Sequence, residues 1–162
     1  MQASGVSSDT GDQMVLELSD EQTEEVFKLA SLEFTSSELK QKIDNLDVSA
    51  DVKALLYKFT TKAVRVGEKV IKIGQKILET IIRVISEYPN TTFGFIFGAI
   101  AGTLVGSVPL VGWVLGPLVT PIFMALGLVL GAKQDFLDKA LESRVKASVE
   151  PFFAFNGANQ DG

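Results

Sequence analysis

The stretch that most constrains this chain runs from Tyr88 to Ala132: 45 residues without Asp, Glu, Lys or Arg, bounded by Glu87 and Lys133. Apolar surface of that extent must leave water, into protein or into lipid. A bilayer core takes about 20 helical residues per crossing, so the run has the length for two passes and a turn. Pro89 disfavours helical geometry at Tyr88 and ends the preceding helix. Thr91 or Thr92 can cap a first apolar helix reaching about Ser107. Pro109, Gly112, Gly116 and Pro117 predict the turn, and Thr120-Pro121 predicts the start of a second helix through Ala132.

Gly94, Gly98, Gly102 and Gly106 stand four apart, and Gly112 with Gly116 and Gly127 with Gly131 repeat the spacing. Glycines so spaced line one side of a helix and let another backbone approach, the logic of small-xxx-small packing. Each costs an isolated helix about 1 kcal/mol relative to alanine, so four in one helix imply a contact that offsets them. Gly94, Gly98, Gly102, Gly106, Gly127 and Gly131 are therefore the candidate helix-packing residues. They would serve either an oligomer or the hairpin's own two helices. Trp113, near the tip, suits a membrane interface. The expected helices span only roughly 24 and 18 Å against a hydrocarbon core of about 30 Å. The hairpin therefore crosses with help from its turn, enters without crossing, or stays in a soluble bundle until released.

Upstream, Ser49 can cap a helix that meets no proline before Pro89. Over residues 48–90 the apolar positions Leu56, Phe59, Ala63, Val66, Val70, Ile73 and Ile77 advance by threes and fours. Lys58, Lys62, Arg65, Lys69, Lys72 and Lys76 keep the same rhythm. This predicts one long amphipathic helix whose basic stripe is solvated on the surface of a bundle, contacts an anionic bilayer surface, or borders a seam for self-association. The segment carries 8 basic and 4 acidic residues, whereas residues 1–47 carry 11 acidic and 3 basic. That acidic head opposes phosphate, and no Asn or Arg cluster suits base edges, so nucleic acid is not an expected partner.

Residues 1–18, small and polar at their start, are expected to be a disordered acidic N-terminus. Residues 19–47 should form short acidic helices, because Ser19 with Gln22 and Thr35 with Glu38 have capping-box spacing. They would cap the long helix or meet a protein partner. Residues 133–150 continue the second hairpin helix in amphipathic form. Residues 151–162 are an aromatic, then polar, tail.

Cysteine and histidine are both absent, which removes disulfides, thiolate metal sites and the usual general base. The glycines before Lys133 lack phosphate-loop spacing and its terminal Ser or Thr. No enzyme activity, cofactor or metal is expected. The first residues, Met1-Gln2-Ala3-Ser4-Gly5, lack the features of a signal peptide. Arg83, Lys133, Lys139, Arg144 and Lys146 flank the apolar stretch and would hold both termini on the cytoplasmic side of a membrane.

The fold expected is all-α: a membrane protein with a long amphipathic helix followed by a glycine-rich hydrophobic hairpin of two short transmembrane or re-entrant helices. The expected function is non-enzymatic: bilayer insertion with homo-oligomerisation through glycine faces, as a pore-forming or membrane-disrupting effector of toxin, lysis or defence type. Two alternatives share the pattern. One is a membrane-anchored adaptor displaying its acidic head to a partner. The other is a soluble bundle that inserts its hairpin only when triggered.

Overall fold

The computed structural model describes residues 1–7, 9–128 and 138–156. Helix dominates, but the all-α expectation needs correcting, because a four-stranded antiparallel sheet is present in the order β2-β1-β3-β4. Its strands are β1 (Gln2–Val6), β2 (Gln13–Glu17), β3 (Val64–Val66) and β4 (Lys69–Ile71). Residues 1–18, expected to be disordered, supply the β1–β2 hairpin. Strand β1 is hard to read because its inward residues are Ala3 and Gly5, too small to give an apolar alternation.

The acidic segment forms α1 (Asp20–Leu29) and α2 (Ser36–Asp44), each opened by a complete capping box, Ser19–Gln22 and Thr35–Glu38. The single helix expected over 48–90 is instead α3 (Ala50–Thr60), the β3–β4 hairpin and α4 (Ile73–Glu87). In β3, Val64 and Val66 are buried and Arg65 is exposed, an alternation of period two rather than three to four. Gly67, at φ +60°, opens a two-residue hairpin turn that a side-chain-bearing residue would strain. Gly74 lies on the far side of this break. A Cβ there would collide with the backbone carbonyl of Phe59, so only glycine lets α4 cross so close to the end of α3.

The apolar stretch forms α5 (Phe93–Ser107), capped by Thr92, and α6 (Pro109–Leu126), joined by the single residue Val108. The second helix thus starts at Pro109 rather than Pro121. Pro109 takes the first helical position, where its missing N–H is harmless. Pro117 and Pro121 lie inside the helix and withdraw the donors that the carbonyls of Trp113 and Pro117 would otherwise meet. Residues 138–156 contribute α7 (Lys139–Val149) and a 3₁₀ helix (Glu150–Phe155) packed on α1. The continuity expected between the second hairpin helix and residue 133, with Gly131, lies outside the described residues, as does the polar end from residue 157.

Candidate functional site: the uncharged hairpin and its cover

Helices α5 and α6 pack on each other, and the charged elements pack around them. Helix α5 meets α4 and α7, whereas α6 meets α3 and β1. Phe97 of α5 sits where these surfaces converge, fully buried. Its ring lies edge-on to Phe59 of α3 at 5.8 Å and to Phe123 of α6 at 6.0 Å, with Phe93 at 5.5 Å. Such pairs contribute about 0.5–1.5 kcal/mol beyond area burial, so Phe97 couples the hairpin to its cover.

Of the expected packing glycines, Gly94 and Gly102 face the other helix of the hairpin. A Cβ at Gly94 would touch Leu126, and one at Gly102 would stand 3.3 Å from Phe123. From the other helix, a Cβ at Gly112 would stand 2.6 Å from the Val105 carbonyl and one at Gly116 would stand 3.9 Å from the Val105 side chain. Gly98 is buried. Gly106 is exposed with open space beside it, and Gly127 is the left-handed C-cap of α6. The ladder that the sequence displays thus divides between hairpin contact and open surface.

The cover is tied down at a few polar points. Trp113, expected at a bilayer interface, donates its indole N–H to the Asp12 carbonyl in the β1–β2 turn at 2.9 Å. Strand β1 crosses α6 at Gly5, where an added Cβ would run into Val114 and come within 3.2 Å of Leu110. On the opposite side, Glu87 at the end of α4 forms a bidentate pair with Arg144 of α7, at 2.8 to 3.2 Å. The Arg144 guanidinium lowers the Glu87 pKa from its usual range, and Glu87 raises that of Arg144. Glu79 is buried in α4, where its carboxylate accepts from the Glu33 and Phe34 backbone N–H groups at 2.9 and 3.1 Å. Arg83 pairs with Glu33 beside it, so the α1–α2 connection is latched to α4.

The six cations expected on one stripe are scattered, because their segment changes from helix to strand and back. Lys58 stays on α3, Lys62 lies in the linker, Arg65 and Lys69 are on β3 and β4, and Lys72 and Lys76 open α4. Lys69 sits over the Phe27 ring and Lys76 donates to the Ser31 carbonyl, which takes both away from a common face.

Helix α6 is long and apolar enough to cross a membrane, with 18 residues of mean hydropathy 1.8, whereas α5 is shorter. Of that window 39% is buried inside the protein, and only Pro109, Thr120, Met124 and Ala125 are exposed. Thr103 and Thr120, which interrupt the apolar surface, donate to the carbonyls of Ala99 and Gly116 in their own helices at 2.6 and 3.5 Å. Among the described residues no group of His, Cys, Asp or Glu is arranged to hold a metal ion. No known protein family, curated protein or solved structure matches the chain.

Proposed function

We propose that this protein is a conditional membrane-inserting module, in which α5–α6 is the inserting unit and the remaining elements are a detachable cover. The observation that carries this reading is α6 itself: an uncharged, 18-residue helix long and apolar enough to cross a membrane, packed on the equally uncharged α5. Its rise of about 27 Å is close to the hydrocarbon thickness of about 30 Å. Hairpin geometry supports the same reading. The two helices touch through Gly102, Gly112 and Gly116, so they would keep their mutual packing when the cover leaves. The hydroxyls of Thr103 and Thr120 carry their acceptors with them, as apolar solvent requires. Non-enzymatic disruption of a bilayer is the activity such a hairpin supports best.

Self-association is a second step that Gly106 favours, since it is exposed and a Cβ there would meet no other part of the fold within 4 Å. Protease protection tests the reading. After incubation with vesicles, residues 93–126 should resist chymotrypsin while α1 and α2 are cut. Equal cleavage of both regions would sink it.

A further inference from the structure

Charge is segregated on the surface of the described residues. The groove between α1 and the 3₁₀ helix is lined by Glu21, Glu25 and Glu150 and by no cation. Two clefts that meet at Val70 of β4 have the opposite character. One, of about 410 Å³ between α2, α3 and the start of α4, holds Lys40 and Lys72. The other, of about 400 Å³, lies where the β1–β3 pairing ends, holds Lys62 and Arg65, and has Val114 of α6 in its lining. Among the described residues no carboxylate lines either cleft.

These four cations are also unspent. Lys28, Arg83, Arg144 and Lys146 are in ion pairs, and Lys42 and Lys69 lie over phenylalanine rings. Among the described residues no such partner engages the side chains of Lys40, Lys62, Arg65 or Lys72. Beside them, register aligns Val15, Ser4, Arg65 and Val70 in one row across all four strands. Val15 and Val70 are 50% and 59% exposed, so aliphatic side chains stand on the cationic face without apolar cover.

We infer that this sheet face docks on an anionic bilayer surface. The four cations meet headgroup phosphates and carboxylates, and Val15 and Val70 rest at the acyl boundary. Cations beside exposed aliphatic groups match the two layers of such an interface. A single-stranded nucleic acid would call for stacking aromatics. Tyr57 is the one aromatic lining either cleft, and its hydroxyl is engaged by Asp44. The inference rests on the membrane reading above and adds where contact begins: at the outer face of the sheet whose strand β1 covers α6.

The test is co-sedimentation of the full chain with phosphatidylcholine vesicles, with and without phosphatidylserine, at low and at high salt. Binding should require phosphatidylserine and weaken with salt. Each cation near such a surface strengthens binding about fivefold, so Lys62→Gln with Arg65→Gln and Lys72→Gln should lose about 100-fold. Lys40→Gln alone, on a different element, should lose about fivefold, while Lys28→Gln with Lys146→Gln should bind as the parent does. Circular dichroism checks that each variant is folded. Equal binding to neutral vesicles, parental binding by the triple variant, or tighter binding of an oligonucleotide through the same residues would each overturn the proposal. Quenching of Trp113 by brominated phosphatidylcholine, built into the same vesicles, keeps the two readings apart. Quenching in neutral vesicles without charge-dependent docking removes the docking face alone, whereas docking without quenching removes insertion alone.

Discussion

The indole N–H of Trp113, inside the uncharged hairpin, donates to the backbone carbonyl of Asp12 at 2.9 Å. Trp113 is the chain's one tryptophan, so a single chromophore reports on the join between α6 and its cover. Trp113→Phe keeps an aromatic, though smaller, side chain and deletes the donor. It is expected to lower stability by about 1 kcal/mol, measured as a shifted denaturation midpoint by circular dichroism. An unshifted midpoint would show that the bond does not hold β1–β2 in place.

Phe59 is a handle on the cover that leaves the hairpin sequence intact. Its ring is fully buried against Phe97. Phe59→Ala should cost about 3–5 kcal/mol. Because it weakens only the covered state, it should also raise the fraction of protein bound to vesicles. Lower stability with unchanged vesicle binding would mean that uncovering is not the limiting step.

Gly5 and Val114 form a size-matched pair. Gly5→Ala overpacks the crossing of β1 and α6 and should destabilise by about 1–3 kcal/mol. Adding Val114→Ala removes the methyl in the way, so the double variant should be more stable than the two single effects summed. Strict additivity in a double-mutant cycle would contradict the contact.

The pair between Glu87 and Arg144 gives the covered state a pH dependence. Arg144 lowers the Glu87 pKa below 4.5, so in acid the unfolded chain binds more protons than the native one. The pair's contribution is complete above that value and is lost as pH falls through the lower, native pKa. With the Glu87 side chain 44% exposed, solvent screening limits the effect to about 1 kcal/mol or less. Glu87→Gln should remove this part of the acid dependence, read from unfolding midpoints between neutral and acid pH. An unchanged acid profile would show that the pair is not formed in solution.

Signals that act over one or two residues were legible in the sequence. Ser19, Thr35, Ser49 and Thr92 all cap the helices that follow them. The described part of the charge-free run also folds into two adjacent helices, and α5 ends at Ser107 where the pattern places it. Strands β3 and β4 were hidden by a coincidence of period, since Val66, Val70 and Ile73 fit a helical seam as well as a hairpin. The run Val64-Arg65-Val66-Gly67-Glu68-Lys69-Val70-Ile71, with β-branched residues on both sides of a glycine turn, is the signal that favoured strands. Prolines misled in the other direction. Pro117 and Pro121 read as a turn and a helix start, but packing of Val114, Leu115 and Val119 carries α6 through both. Strand β1 could not be read locally, because Gly5 is small on account of Val114, a residue more than a hundred positions away.

The measurement closest to the central claim is quenching of Trp113 by lipids brominated at different acyl depths. If α5–α6 leaves its cover and enters the bilayer, Trp113 emission should be quenched, with a maximum at a defined depth. Phe59→Ala should strengthen that quenching. Emission that remains unquenched at every depth, from protein that co-sediments with the vesicles, would contradict insertion of the hairpin.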